Sequence, residues 1–321
     1  MKRFKKIIAS ILALSMILSV SLLATSCEKK GYTVGICQLV THEALDAATE
    51  GFKQALIDEI GEENITFDYQ NAAGDSPTCT TIANSFVSKN VDLIMANATG
   101  ALQAAAAATT QIPILGTSIT EYGVALNIDN FTGTVGGNIS GTSDLAPLED
   151  QAQMIIDLFP EAKNVGLLYC SAEPNSAYQV KVVTEYLESK GLTCTEYSFS
   201  DSNDIAAVTE KASTDSDVIY IPTDNTAASC TETINNICLP KKVPVFAGEA
   251  GICAGCGTFT LSISYYEIGY KTGLMAAEIL QGKSDISEMA IEYDPNPVKK
   301  YNASICETLG LTIPEDYVAI E

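Results

Sequence analysis

Tryptophan is absent from this 321-residue chain, histidine occurs once, as His42, and arginine once, as Arg3. A single histidine excludes histidine-based catalytic triads and multi-histidine zinc sites. Neither a complete Gly-x4-Gly-Lys-Ser/Thr phosphate loop nor a Gly-x-Ser-x-Gly nucleophile elbow occurs. Basic residues are scarce as well, 18 against 40 acidic ones, for a formal charge of −22. The first 26 residues hold Lys2, Arg3, Lys5 and Lys6 and no acid, so without them the charge is −26. Such a surface makes nucleic acid and anionic lipid poor partners. Metal ligands are equally thin: Cys253-x-x-Cys256 is one pair without a second, and its glycine-rich setting opens no thioredoxin-type helix. No metal or cofactor is expected, and no catalytic turnover.

What is present begins with one long apolar run, Ile7 to Ala24, behind the basic start. It reads as an export signal over 1–26, closing on small residues before Cys27. The segment LLATSC resembles the bacterial lipobox, which implies cleavage before Cys27 and diacylation of that cysteine. The alternative is an uncleaved transmembrane anchor. Setting Cys27 aside leaves nine cysteines, an odd number whose pairing cannot be read from spacing. Cys37 and Cys170 lie inside apolar runs and read as small core residues.

From Gly31 onward, short apolar β-branched runs alternate with helical patterns, the signature of an α/β fold with parallel sheets. TVGICQLV, NITFDYQNA, VDLIMANA and PILGTSI are strands, separated by helices near 42–60, 76–89 and 100–109. Residues 133–148 are rich in Gly, Ser, Thr and Asn and read as an inter-domain crossing. A second series then runs NVGLLYC, TCTEYSF, VIYIP and VPVFAGE, with helices over 149–159, 176–190, 204–212 and 226–238. Residues 251–257 read as flexible, Tyr265 to Leu280 as a helix returning to the first lobe, and MAIEYDP with helix 303–309 as the end of the second. The expected organisation is therefore two doubly wound lobes joined by a multi-strand hinge: 31–140 with 259–284, and 141–258 with 285–321.

Open α/β sheets bind ligands beyond the carboxyl ends of their strands, where helix N–H groups point outward. DVIYIPTDNTAAS is the clearest instance, a buried strand ending at Pro222, then Thr223, Asp224 and Asn225, then a helix. The same device ends other strands at Gln38, Thr99, Thr117, Asp144, Glu173 and Glu249. Asp224 and Asn225 can equally be turn and cap residues, as can Thr99. His42 begins a helix and reads as a cap or surface residue.

Taken together, THEALDAATEGF, YQNAAGD, DLIMANATGALQAA, NISGTSD, LLYCSAEPNS, IYIPTDNTAAS and YYEIGYKTG resemble the substrate-binding lipoproteins of tryptophan/tyrosine-type ABC importers. The likeness covers Tyr32 to Pro314, with departures at Gly100, Glu121-Tyr122 and Ser264. It implies a type I periplasmic-binding-protein fold that captures a free amino acid outside the cell and delivers it to a membrane ABC permease. A zwitterion needs anion donors and a cation acceptor. With Arg3 lost, a guanidinium clamp is excluded, so the carboxylate falls to Thr99, Gly100, Ser143 and Ser176 at helix starts. For the ammonium, Asp224 is the first candidate and Glu173 the second. Asn175, Asn225 and Gln38 complete the hydrogen bonds, and Thr117, Asp144 and Glu249 complete the cleft. Without tryptophan, ring stacking would fall to Tyr122, Phe131 or Tyr178. The competing readings are a sugar or nucleoside binder of the same fold, and a surface interaction protein with a vestigial cleft.

Overall fold

The computed structural model describes residues 31–320, so the expected signal segment 1–26 and Cys27 lie outside the described residues. The first series is β1 (Tyr32–Gln38), α1 (Glu43–Ile60), β2 (Ile65–Asn71), α2 (Ser76–Lys89), β3 (Leu93–Asn97), α3 (Thr99–Ala108), β4 (Ile114–Ile119), α4 (Tyr122–Leu126) and β5 (Ile139–Ser143). β3 and β4 are buried at every position, as parallel strands covered by helices on both faces must be. Local signals set the helix ends: Asp75 caps α2 by accepting from Thr78 N, and Asn90 closes it in the left-handed conformation.

The second series is α5 (Leu148–Leu158), β6 (Asn164–Cys170), α6 (Pro174–Ser189), β7 (Thr193–Phe199), α7 (Ile205–Asp215), β8 (Val218–Ile221), α8 (Asn225–Ala228), α9 (Thr231–Cys238), β9 (Val245–Ala247), α10 (Ala250–Cys256) and β10 (Phe259–Ser262). Then come α11 (Tyr265–Leu280), β11 (Glu292–Tyr293), β12 (Val298–Tyr301), α12 (Ala303–Leu309) and β13 (Val318–Ala319). The sheets run β11-β5-β4-β3-β1-β2 and β13-β12-β10-β9-β8-β6-β7. Counted within its own series, each lobe has the order 2-1-3-4-5, the flavodoxin-like doubly wound pattern. Among the named strands of the described residues, only β10 and β12 pair antiparallel.

The fifth strand of each lobe leads into the other lobe. This shifts the expected boundaries. β5 lies inside the segment read as a structureless crossing and belongs to the first sheet through Ser143, beyond the expected break at 140. β10 belongs to the second sheet, so the return begins after Ser262 and not at 259. β11, from MAIEYDP, pairs with β5 and keeps residues up to Tyr293 in the first lobe. Residues 251–257, read as flexible, fall mostly within α10, which Glu249 caps through Gly251 N and Ile252 N; Cys253 and Cys256 are thus on the buried face of a helix. The helix read over 226–238 breaks into α8 and α9.

As expected, α11 returns to the first lobe and packs on α1. Glycines make the contact close: a Cβ on Gly51 would sit 2.1 Å from Tyr266 O, and one on Gly269 2.0 Å from Ala48 O. All nine described cysteines are free.

Candidate functional site

The carboxyl ends of β1, β3, β4 and β5 face those of β6, β8 and β9 across a cleft floored by the three crossings. In the first lobe the strand ends lie side by side, since Ala98 N donates to Thr117 O at 3.1 Å and Asp144 N to Ile119 O at 3.1 Å. The register shifts between Gly116 and Ile119, and Ser118 takes φ 56°. Ala98 takes φ 86° and offers no side chain to cap α3, leaving its first N–H groups open. Two non-glycine residues with positive φ on adjacent strand ends mark a backbone held in place by its surroundings. Both belong to the cleft-facing rim.

Ser118 is 6% exposed and its Oγ has no partner. Its neighbour Thr117, the expected site residue, turns into its own lobe instead: Thr117 Oγ1 lies 3.3 Å from Thr142 Oγ1, which lies 2.8 Å from Thr272 Oγ1. Two hydroxyls in a row at a strand end was the available signal for Ser118. The bulge decides which one is left free.

Asp144 sits where the first crossing leaves β5, 3% exposed. Oδ2 accepts from Tyr265 OH at 3.0 Å, while Oδ1 has no partner. Burial pushes its pKa up, against the nearby Thr120 hydroxyl and the Tyr265 bond, to about 6. Glu249 enters from the second lobe, and burial raises it to about 7 although two α10 N–H groups hold it.

Other expected residues are already engaged. Asp224 accepts from Ala227 N at 2.8 Å and from Cys170 N at 2.7 Å, and burial, with Glu173 nearby, pushes it above the usual carboxylate range. Glu173 Oε2 accepts from Asn225 N and Nδ2 at 3.0 and 2.7 Å, and Oε1 from Thr226 N and Oγ1 at 2.9 and 2.8 Å. Asn175 donates to Thr223 O and Ser176 Oγ. These groups tie β6, α6 and β8 into one rim. Gln38 is spent within the first lobe on Val40 O, Asp46 and Thr49, and Ser143 on Thr120 O and Leu145 N. Thr99 is buried at the open start of α3, with Gly100 beside it. Of the ring candidates, Tyr122 is core, donating to Gly116 O and Thr142 O and stacked on Phe131; Tyr178 packs against the second-lobe core.

The lobes also meet through His42 Nε2 and Asn225 Oδ1, 3.3 Å apart. Cavities of about 380 and 170 Å³ flank this contact, and no lysine lines either of them.

Two doubly wound lobes, three crossings and a cleft lined by polar strand ends define a bilobal solute-binding protein with the type I periplasmic-binding-protein fold. Residues 33–320 match the family model for ABC transporter substrate binding proteins, and the chain belongs to that family. A "Tyrosine-binding protein" of Clostridioides difficile (strain R20291) is 36% identical over 261 residues, 80% of this chain and 74% of the relative. An ABC domain from Streptococcus pneumonia in complex with L-Trp superimposes with TM-score 0.84 at 30% identity, covering 89% of this chain and 96% of that one. The ligand-free, open structure of a substrate-binding protein with adhesive properties from Clostridium difficile gives 0.68 at 35% identity, covering 90% and 99%. The chain thus superimposes more closely on the tryptophan-bound structure than on the ligand-free, open one, although the latter is the more similar of the two in sequence.

Proposed function

We propose that this protein captures a free amino acid, aromatic in side chain, in its inter-lobe cleft and hands it to an ABC permease from outside the cell membrane, to which Cys27 tethers it. One observation carries the reading: adjacent strand ends of the first lobe present a bare carboxylate oxygen, Asp144 Oδ1, and a bare hydroxyl, Ser118 Oγ, both buried. Unpaired buried polar atoms are costly, and a ligand carrying both a cation and an anion relieves both. Asp144 takes the ammonium. Ser118 Oγ, Thr99 and the open N–H groups of α3 take the carboxylate, which meets a helix N-terminus in place of the missing arginine. Asp224 is the second acceptor for the ammonium, because its two oxygens already hold backbone N–H groups. The named ligands of the relatives, tyrosine and tryptophan, support the aromatic class.

Calorimetric titration of L-tyrosine, L-tryptophan, glucose and a nucleoside tests this. Heat is expected with the amino acids alone. Asp144→Asn keeps the shape and removes the charge, so affinity should fall about ten- to hundredfold, the worth of a charge-assisted hydrogen bond. Undiminished affinity in that variant moves the ammonium to Asp224, and binding of the sugar alone overturns the amino-acid reading.

A further inference from the structure

The sole histidine is not used where its position suggests. His42 is the N-cap residue of α1, yet its side chain makes no capping bond. Its ring crosses to the other lobe. Glu173, as a carboxylate, can only accept, so the 2.7 Å contact from Asn225 Nδ2 fixes the amide and turns Oδ1 toward His42. The imidazole must then carry its proton on Nε2 and donate it. Apart from the bonds made by residues of the crossings themselves, this is the one side-chain hydrogen bond among the described residues that joins the lobes.

We propose that His42 is a positioning residue for ligand capture, a latch that holds the closed lobes together by donating to Asn225, itself held by Glu173. The second lobe supplies a preformed acceptor: Asn225 N and Nδ2 are both fixed on Glu173, so little freedom is lost when the bond forms. The ring is committed to no partner in its own lobe and is free to release when the cleft opens. Nδ1, buried and without a partner, takes no part in the latch. The latch rests on the capture reading only for the ligand used to probe it.

Two measurements test it, one without ligand. His42→Leu keeps bulk and removes the donor; His42→Gln restores an amide N–H of similar reach. Small-angle scattering of the ligand-free proteins should show a larger mean radius of gyration for the Leu variant than for wild type and the Gln variant. Because the chain has no tryptophan, the emission of bound L-tryptophan reports its release alone. Stopped-flow displacement should show release about three- to tenfold faster for Leu, the range of one neutral hydrogen bond, with association nearly unchanged and Gln close to wild type. Equal scattering together with equal release rates overturns the latch. If wild type binds no amino acid, the capture reading fails instead, and scattering alone decides: equal profiles overturn the latch.

Discussion

At the residue scale the cleft is unusual in concentrating buried acids without a cation. Asp144, Asp224 and Glu249 are all raised in the folded state, each chiefly by burial. Between about pH 4 and beyond pH 7 the folded protein therefore holds protons that the unfolded chain has released, and stability must fall as pH rises through that window. His42 is lowered from 6.5 by burial and works in the opposite sense, since below that pH the unfolded chain binds its proton first. One group opposes three. Asp68, Asp217, Asp285 and Asp316 are held low by their partners, so their stabilisation is lost only below about pH 4 and does not disturb the window. Melting of the ligand-free protein is thus expected at lower temperature at pH 7.5 than at pH 5, by a few degrees. A higher melting temperature at pH 7.5 would contradict this. An ammonium ligand, which favours ionised Asp144, should narrow the difference.

At the element scale the helix pair α1 and α11 fastens the returning chain to the first lobe. Gly269 admits no Cβ without moving Ala48 O, which belongs to helix backbone. Gly269→Ala should therefore cost about 1–3 kcal/mol or more despite the better helix propensity of alanine. Urea unfolding reads this as a lower midpoint at unchanged slope. Elsewhere the elements were legible because bulk apolar runs form most of the strands. They failed to show where closeness replaces bulk. β5 reads ISGTS, and Gly141 lies so near its neighbour that a Cβ would come within 2.0 Å of Gly116 O. Such a strand has no hydrophobic signature, and missing it moved the first boundary. α10 failed differently, because its glycines suggested a loop while its cap, Glu249, and its buried Ile252, Cys253 and Cys256 make it a helix. Strand-end position told which segments line the cleft. It could not tell which side chains are free, because that depends on the bulge at Ser118 and on bonds such as those fixing Glu173.

At the scale of the whole molecule, the acidic surface bears on the proposed membrane tether. Among the described residues no helix is long and apolar enough to cross one, and a chain at −26 without its first 26 residues is repelled by an anionic leaflet. Electrostatics does not favour that surface, and the proposed tether is Cys27, outside the described residues. Diacylated Cys27 would supply two acyl chains, and two hold stably where one is only reversible. Cys27→Ala should consequently appear in the medium, or remain unprocessed with its leader attached, and should lose lipid labelling. The two outcomes differ in mass by the leader, which electrophoresis resolves. A salt wash separates the remaining alternative, because charge-held protein is released at high ionic strength whereas acyl-anchored protein is not. Membrane retention and lipid labelling unchanged in the alanine variant would place the anchor elsewhere than at Cys27.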